Sequence, residues 1–206
     1  MNAHSRTAGK TLAVAVRALL ACTLLLGVGY TAVITGLGQL VFPAQANGSV
    51  LTGPDGAVVG SALIGQSFTD PSGEPLPQYF QPRPSAAGAG YDGAASSGSN
   101  WGPEHPDFVA AVAERRAEIA ARDGVPEHAI PADAVTASAS GLDPHISPEY
   151  AALQVPRIAA ERGIPEAELR ELVAAHVEAP DLGFLGSERI NVLRLNLELD
   201  EREAAA

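Results

Sequence analysis

Cysteine is nearly absent from this chain of 206 residues, in which Cys22 is the only one. The chain therefore cannot form an internal disulfide, and no thiol after residue 22 is available for catalysis or metal binding. Aromatic residues are also few, at 5% of the sequence, and no internal repeat is visible. The stability of the folded part must therefore come from the packing of its side chains.

Basic residues are scarce as well. The chain has 13 Lys and Arg against 24 Asp and Glu, which gives a formal net charge of −11. Arg6, Lys10 and Arg17 all precede the first acidic residue, so the remainder of the chain is more acidic still. A surface of this charge repels phosphate groups, which argues against binding to nucleic acid or to an anionic membrane surface.

Charged residues are missing altogether from residues 18–42, which are rich in leucine. At ~1.5 Å per residue this stretch forms a helix of roughly 37 Å, longer than the ~30 Å hydrocarbon core of a bilayer. The sequence therefore predicts one membrane-spanning helix. A cleavable signal peptide is the alternative, since Ala44-Gln45-Ala46 is typical of a cleavage site, but the apolar region of a signal peptide has only about 7–15 residues.

The distribution of charge predicts the side of the membrane on which each part lies. Basic residues favour the cytoplasmic side of a membrane helix, so residues 1–17 are expected to form a short cytoplasmic tail. Residues 43–206 are then expected to form one extracytoplasmic domain that is long enough to bury its own core. We accordingly expect a single-pass protein of the cell membrane, in contact with membrane lipid.

The pattern after the membrane helix predicts an α+β domain. The expected elements are short strands within residues 57–68, helices over residues 107–122, 148–162 and 165–176, and a strand over residues 193–199. Ser147 is a typical helix cap, Gly124 and Gly163 are typical helix stops, and Pro156 is expected to kink its helix. Residues 193–199 alternate leucine with polar residues, which favours a strand with one buried face.

Residues 66–107 form a long segment dominated by Gly, Pro and Ser, which holds five of the ten aromatic residues. A structureless segment of this length is usually disordered or functional, and disordered segments are poor in aromatic residues. The segment is therefore expected either to wrap the core of its own domain or to dock on a partner. Arg83 in this segment either holds a carboxylate or faces water. The candidates for partner binding are Tyr79, Phe80, Arg83, Tyr91, Asn100 and Trp101.

Small residues recur along the membrane helix at Gly27, Thr31 and Thr35. A spacing of four residues places them along one face of a helix, on which another membrane helix can pack closely. The alternative is a helix that faces lipid and carries small residues by chance.

Ser138, Ser140, Asp143 and His145 lie close together and raise the possibility of a hydrolase triad or a metal site. Triad members normally come from distant segments, and no nucleophile elbow of the G-x-S-x-G type is present. Asp143 and His145 alone make a weak metal site. We therefore favour a turn that leads into the Ser147 cap, and we expect no catalytic residue and no metal ligand in this chain.

Several motifs occur in an order that resembles the C subunit of the bacterial Kdp potassium-transporting P-type ATPase, or KdpC family. The resemblance covers nearly the whole chain. The motifs that carry it are Gly60-Ser61-Ala62-Leu63-Ile64-Gly65-Gln66, Tyr79-Phe80, Arg83-Pro84-Ser85-Ala86, Tyr91-Asp92, Ser99-Asn100, Ser140-Gly141-Leu142-Asp143-Pro144-His145-Ile146-Ser147-Pro148 and Arg189-Ile190-Asn191-Val192-Leu193.

The resemblance implies an accessory subunit of a high-affinity potassium uptake complex. Its implied partners are a channel-like subunit that carries potassium, a P-type subunit that hydrolyses ATP, and a small single-span subunit. The chain has no Asp-Lys-Thr-Gly phosphorylation motif, so it is not expected to be the hydrolysing subunit. The family is also described as a catalytic chaperone that raises the ATP affinity of the hydrolysing subunit, so ATP is implied by the resemblance alone. Ser140, Asp143 and His145 belong to the family motifs without a role that the sequence assigns.

Overall fold

The computed structural model describes the backbone of residues 3–205 and the side chains of residues 8–203. The chain divides into two compact units, Met1–Ser49 and Val50–Ala206. The first unit consists of helix α1 (Ala3–Cys22), a π-helical segment (Thr23–Tyr30), α2 (Thr31–Val41) and the short α3 (Pro43–Ala46).

Within the described residues, one helix, Ala8–Val41, is long and apolar enough to cross a membrane by its length and composition. The single apolar helix is therefore confirmed, although it begins before residue 18 and includes Lys10 and Arg17. Its π-helical middle has wider turns than an α-helix, and Thr31 Oγ1 donates a hydrogen bond over 3.3 Å to the carbonyl of Leu26, five residues back. The angle around the helix axis between Gly27 and Thr31 therefore differs from the angle that residues four apart have in a regular α-helix.

The second unit mixes helices with short strands, as the sequence predicts for an α+β fold. Its elements are β1 (Val50–Thr52), β2 (Val58–Ser61), α4 (Pro106–Asp123), a 3₁₀ turn (Glu127–Ala129), α5 (Ala132–Val135), β3 (His145–Ile146), α6 (Pro148–Arg162), α7 (Glu166–Ala175), β4 (Ile190–Asn191) and α8 (Val192–Ala205). Strands β1 and β2 pair antiparallel, and so do β3 and β4, with Ile146 opposite Ile190.

Local signals place the central helices where the sequence predicts them. Ser147 Oγ accepts a hydrogen bond from the backbone N–H of Tyr150 over 3.0 Å and caps α6. Gly124 and Gly163 end α4 and α6 in the left-handed conformation, with φ of 67° and 66°. Pro156 lies within α6, which continues through it to Arg162.

The predicted strand over residues 193–199 is wrong, because this segment forms the first turns of α8. Alternating leucines match a strand, but Val192, Leu195, Asn196 and Leu199 also match the i, i+3, i+4, i+7 stripe of a helix, and all four are buried. Leucine, arginine and glutamate favour helix over strand, and the segment continues into a polar helical end. The core that α8 completes also contains buried residues of α6 and α7.

The segment between β2 and α4 wraps its own domain. Asn196, which is buried, accepts a hydrogen bond from the N–H of Phe80 at 2.9 Å and donates one to the carbonyl of Phe80 at 3.0 Å. Gln154, also buried, makes the same pair of bonds with Gln81, at 2.7 and 3.1 Å. Two amide side chains thus replace a neighbouring strand for this backbone, and the Phe80 ring lies fully in the core.

A buried carboxylate joins α4 to α6. Asp123 Oδ1 accepts a hydrogen bond from Nε of Arg157 over 2.6 Å, and Oδ2 accepts one from Arg122 over 2.8 Å. Arg157 also donates to the carbonyls of Pro77 and Tyr79. The same cation therefore connects the two helices to the wrapped segment.

Candidate functional site

Motif segments that are far apart in sequence meet around residues 140–145. The N–H of Gly65 donates to the carbonyl of Leu142 over 2.8 Å, and the N–H of Ser97 donates to that of Ser140 over 2.9 Å. Ser85 Oγ donates to the carbonyl of Gly141 over 2.6 Å. We call this meeting point, made of residues 65, 83–98 and 140–145, the motif junction.

Glycine is required at the motif junction because the backbones approach so closely. Gly141 has a φ of +67°, and a Cβ there would lie 2.6 Å from the carbonyl oxygen of Ser97 and 2.7 Å from the nitrogen of Ala87. A Cβ on Gly65 would lie 2.6 Å from the carbonyl oxygen of Asp143. Backbone atoms cannot rotate away as a side chain can, so both glycines fix how the segments fit together.

Arg83, Asp143 and His145 form a chain of polar contacts in the motif junction. Arg83 Nη1 lies 2.9 Å from Oδ2 of Asp143, so Arg83 holds a carboxylate. Asp143 Oδ1 accepts from the N–H of His145 at 3.0 Å and lies 3.1 Å from its Nδ1. Burial alone would raise the pKa of Asp143, but the hydrogen bonds from His145 and the charge of Arg83 outweigh it and lower the pKa.

Tyr91 closes the other side of Arg83. Its hydroxyl donates to the carbonyl of Arg83, and burial, together with the nearby charge of Asp143, raises the pKa of the phenol. The side chain therefore stays neutral and acts as a hydrogen-bond donor at every physiological pH.

The motif junction opens on a cavity of about 430 Å³. The ionisable side chains that line it are Arg83, Asp133, Asp143, His145, Glu149, Glu188 and Arg189. Asp133 is already engaged, since it accepts from the N–H of Ser147 at 2.7 Å and from its hydroxyl at 2.9 Å. Over the part of the chain that the structure describes, no group of three or more His, Cys, Asp or Glu is arranged to hold a metal ion.

The hydrolase alternative lacks its central contact. Ser140 Oγ lies 3.4 Å from Oγ of Ser138 and accepts from the N–H of Leu142 at 3.1 Å. Nδ1 of His145 points to Asp143. No hydrogen bond joins Ser140 to His145 among the described side chains, so the nucleophile and base of a triad are not brought together.

The other candidates for partner binding occupy very different environments. Phe80 was a candidate for partner binding, but this prediction needs correction, because its ring is completely buried in the core of its own domain. Tyr79 is partly buried, donates to Asp200 over 3.1 Å and lies beneath the guanidinium of Arg162 at 4.9 Å. Asn100 is exposed, and Trp101 is 38% exposed and stacks on His105. The small-residue positions of the membrane helix, Gly27, Thr31 and Thr35, are all exposed.

Sequence reasoning missed an exposed pair next to the motif junction. Leu63 and Ile64 are exposed on a turn next to Ala62. A hydrogen bond of 2.8 Å from Asn191 Nδ2 to the carbonyl of Ala62 ties this turn to the rest of the unit. Their place within the Gly60–Gln66 motif was the available signal, but apolar residues between glycines in this region were interpreted as short strands. The hydrogen bonds of Asp133 with Ser147 were also missed, because no local sequence pattern indicates them.

The carboxylate of Asp143 gives the motif junction a testable acid sensitivity. Asp143→Asn is expected to destabilise the second unit by about 1–3 kcal/mol near neutral pH, since the neutral amide loses the ion pair with Arg83. The pKa of Asp143 is lower in the folded state than its ordinary 3.8, so this stabilisation is present above that value and is lost as the pH falls through the folded pKa. Thermal unfolding of the full chain in detergent, followed by circular dichroism, should show a difference that shrinks below about pH 4.

Glu114→Gln is the matched control for that experiment, because it also neutralises one carboxylate, on the exposed side of α4. Glu114→Gln should change the unfolding temperature little, both near neutral pH and below about pH 4. If the effect of Asp143→Asn were the same near neutral pH and below about pH 4, the ion pair of Arg83 and Asp143 would not contribute as described.

The chain is similar to known proteins over nearly its whole length. Residues 12–201 match the family model described as K+-transporting ATPase, c chain. Proteins named Potassium-transporting ATPase KdpC subunit are 53% identical over 180 residues in Caulobacter vibrioides (87% of both chains) and 52% identical over 192 residues in Geobacter sulfurreducens (93% of this chain and 97% of the relative). The protein of that name from Gemmatimonas aurantiaca is 54% identical over 187 residues, or 90% of each chain.

Proposed function

This chain belongs to the KdpC family, the c chains of K+-transporting ATPases, and we propose that it acts as an accessory subunit of an ATP-driven potassium uptake complex. One observation carries the proposal: the similarity extends over residues 12–201 and so includes both the apolar helix and the folded unit. The relatives are named as subunits of a potassium-transporting ATPase.

The proposed role is structural and not hydrolytic. The 206 residues contain no Asp-Lys-Thr-Gly phosphorylation motif, and Ser140 and His145 of the motif junction form hydrogen bonds with other groups. In our proposal the ATP-hydrolysing P-type subunit binds ATP, and a channel-like subunit and a small single-span subunit complete the complex. Potassium is the ion that the complex moves and not a resident ligand of this chain.

We assign separate contacts to the two units. The apolar helix packs against the channel-like subunit, with Gly27 as the point of closest approach. The folded unit lies on the extracytoplasmic side and covers the outer mouth of that subunit, with Leu63, Ile64, Asn100 and Trp101 as contacts. Its negative charge raises the local concentration of cations by a modest factor at most, since screening acts over about 8 Å.

ATP binding by this chain does not fit the same placement. Residues after the apolar helix would lie on the side of the membrane that lacks ATP, and their negative charge opposes binding of an anionic nucleotide. We therefore propose that any effect of this chain on nucleotide affinity is indirect.

Purification of the complex tests the proposal. Tagged chain isolated in mild detergent from its own bacterium, grown at limiting potassium, should bring with it the channel-like and ATP-hydrolysing subunits, as identified by mass. Gly27→Leu should reduce their recovery at least about tenfold, because a bulky side chain prevents close helix packing. Isolation of the wild-type chain without these partners would contradict the proposal.

Gly36→Leu is the matched control for the packing site. A Cβ at Gly36 would have nothing within 4 Å, and one at Gly27 would meet only Thr23 of its own helix at 3.8 Å, so both substitutions fit the isolated helix. Full recovery with Gly36→Leu and poor recovery with Gly27→Leu would locate the contact at Gly27. Equal recovery with both would refute Gly27 as the packing point but leave the subunit assignment in place.

A further inference from the structure

Three large apolar side chains are exposed together on one turn of the second unit. Leu182, Phe184 and Leu185 are 82%, 73% and 50% exposed. Scattered apolar residues on a surface are ordinary, but a cluster within four consecutive positions is not. We call these three residues the apolar tip.

The apolar tip stands on a well-defined hairpin. Asp181 and Leu185 exchange both backbone hydrogen bonds, at 3.0 and 2.9 Å, and Glu178 and Arg189 do the same at 2.8 and 3.1 Å. The hairpin then enters β4, where Ile190 is completely buried. The turn is therefore anchored in the core and presents its apolar side chains on a rigid support.

Leu182 has a strained backbone conformation at this position. Its φ of 55° is in the left-handed region, which a bulky side chain rarely adopts and which glycine or asparagine would occupy with less strain. The following residue, Gly183, also has a positive φ of 80°. If the turn only faced water, glycine or asparagine in place of this leucine would make it more stable. The presence of leucine therefore points to a contact made by its side chain.

The charges around the apolar tip favour one kind of partner. Glu188 and Asp181 are exposed, and Glu178 lies at the base of the hairpin. Arg189, the cation of this hairpin, is paired with acidic residues, at 3.1 Å from Glu178 and 3.4 Å from Asp181. The surroundings of the apolar tip are thus acidic, which disfavours an anionic lipid surface and favours a protein surface with basic residues.

We propose that the apolar tip is an anchor that inserts into an apolar pocket with a basic rim on another protein subunit of the same complex. This inference rests on the proposed function. The exposed area of the three side chains is on the order of 300 Å², well below the ~800 Å² per partner of a stable interface. The tip is therefore one anchor within a larger contact, and it is too small to hold two copies of this chain together alone.

Photo-crosslinking identifies what the apolar tip contacts. Benzoylphenylalanine placed at position 184 of the full chain, in cells that make the whole complex, should form a crosslink to another subunit of the complex on irradiation. A crosslink to lipid, a crosslink to a second copy of this chain, or the absence of any crosslink would overturn the proposal. The same residue placed at position 58, which is also exposed, is the control for accidental proximity.

Recovery of the complex measures how much the anchor contributes. Phe184→Asp should lower the recovery of the partner subunits in detergent at least about tenfold, since central aromatic anchors dominate the stability of interfaces. Val58→Asp, at another exposed apolar position, should leave recovery unchanged, and both variants should unfold at the temperature of the wild type. Full recovery with Phe184→Asp would overturn the anchor, whereas a wild-type chain that recovers no partners would instead refute the proposed function.

Discussion

Gly141→Ala is expected to destabilise the second unit by about 3–5 kcal/mol, an unusually large effect for the addition of one methyl group. Two causes act together. The new side chain would have to adopt a left-handed conformation, with φ at +67°, and its Cβ would lie 2.6 Å and 2.7 Å from backbone atoms of Ser97 and Ala87. Relief of these contacts requires the three segments of the motif junction to separate.

Two other glycines separate the two causes. Gly124 and Gly163 have almost the same φ, +67° and +66°, but a Cβ on either would meet nothing within 4 Å. Alanine at these positions should therefore cost only about 1 kcal/mol, from backbone strain alone. Comparable unfolding temperatures for all three variants, measured by calorimetry on the full chain in detergent, would show that close packing at the motif junction contributes nothing.

The sequence predicted the elements that local chemistry determines. Ser147, Gly124 and Gly163 act on backbone groups within a few residues of themselves, so the helix boundaries that they mark could be read directly. The error at residues 193–199 arose because four leucines at alternate positions satisfy both a strand pattern and part of a helical stripe. The helix-favouring residues between and after them were the signal that should have decided it.

The contacts of the wrapped segment and of the motif junction could not be predicted from the sequence, because they are long-range. Phe80 and its partner Asn196 are 116 residues apart, and no local pattern tells an asparagine that pairs with a distant backbone from one that faces solvent. For the same reason the sequence left open whether Phe80 packs in its own domain or contacts a partner, and only the fold shows its ring in the core. Arg83 was correctly recognised as a possible partner of a carboxylate, but only the fold identifies that carboxylate as Asp143.

The largest expected difference is in the labelling of single cysteines on the two sides of the membrane. This labelling determines on which side each end of the helix lies. Arg6, Lys10 and Arg17 precede the uncharged stretch, and every acidic residue follows it. Basic residues are retained in the cytoplasm during insertion, so the folded unit should be exported. Cys22→Ser removes the only native thiol, after which single cysteines at Ala3 and at the exposed Glu104 report the two sides.

The central claim, an anchored subunit with its folded unit outside the cytoplasm, is tested most directly by this measurement on intact spheroplasts with a thiol reagent that cannot cross the membrane. Glu104→Cys should be labelled nearly completely without permeabilisation, and Ala3→Cys only after it. Both should react once the membrane is dissolved in detergent, which controls for reactivity. Protection of Glu104→Cys together with labelling of Ala3→Cys in intact spheroplasts would contradict the account and place the folded unit in the cytoplasm.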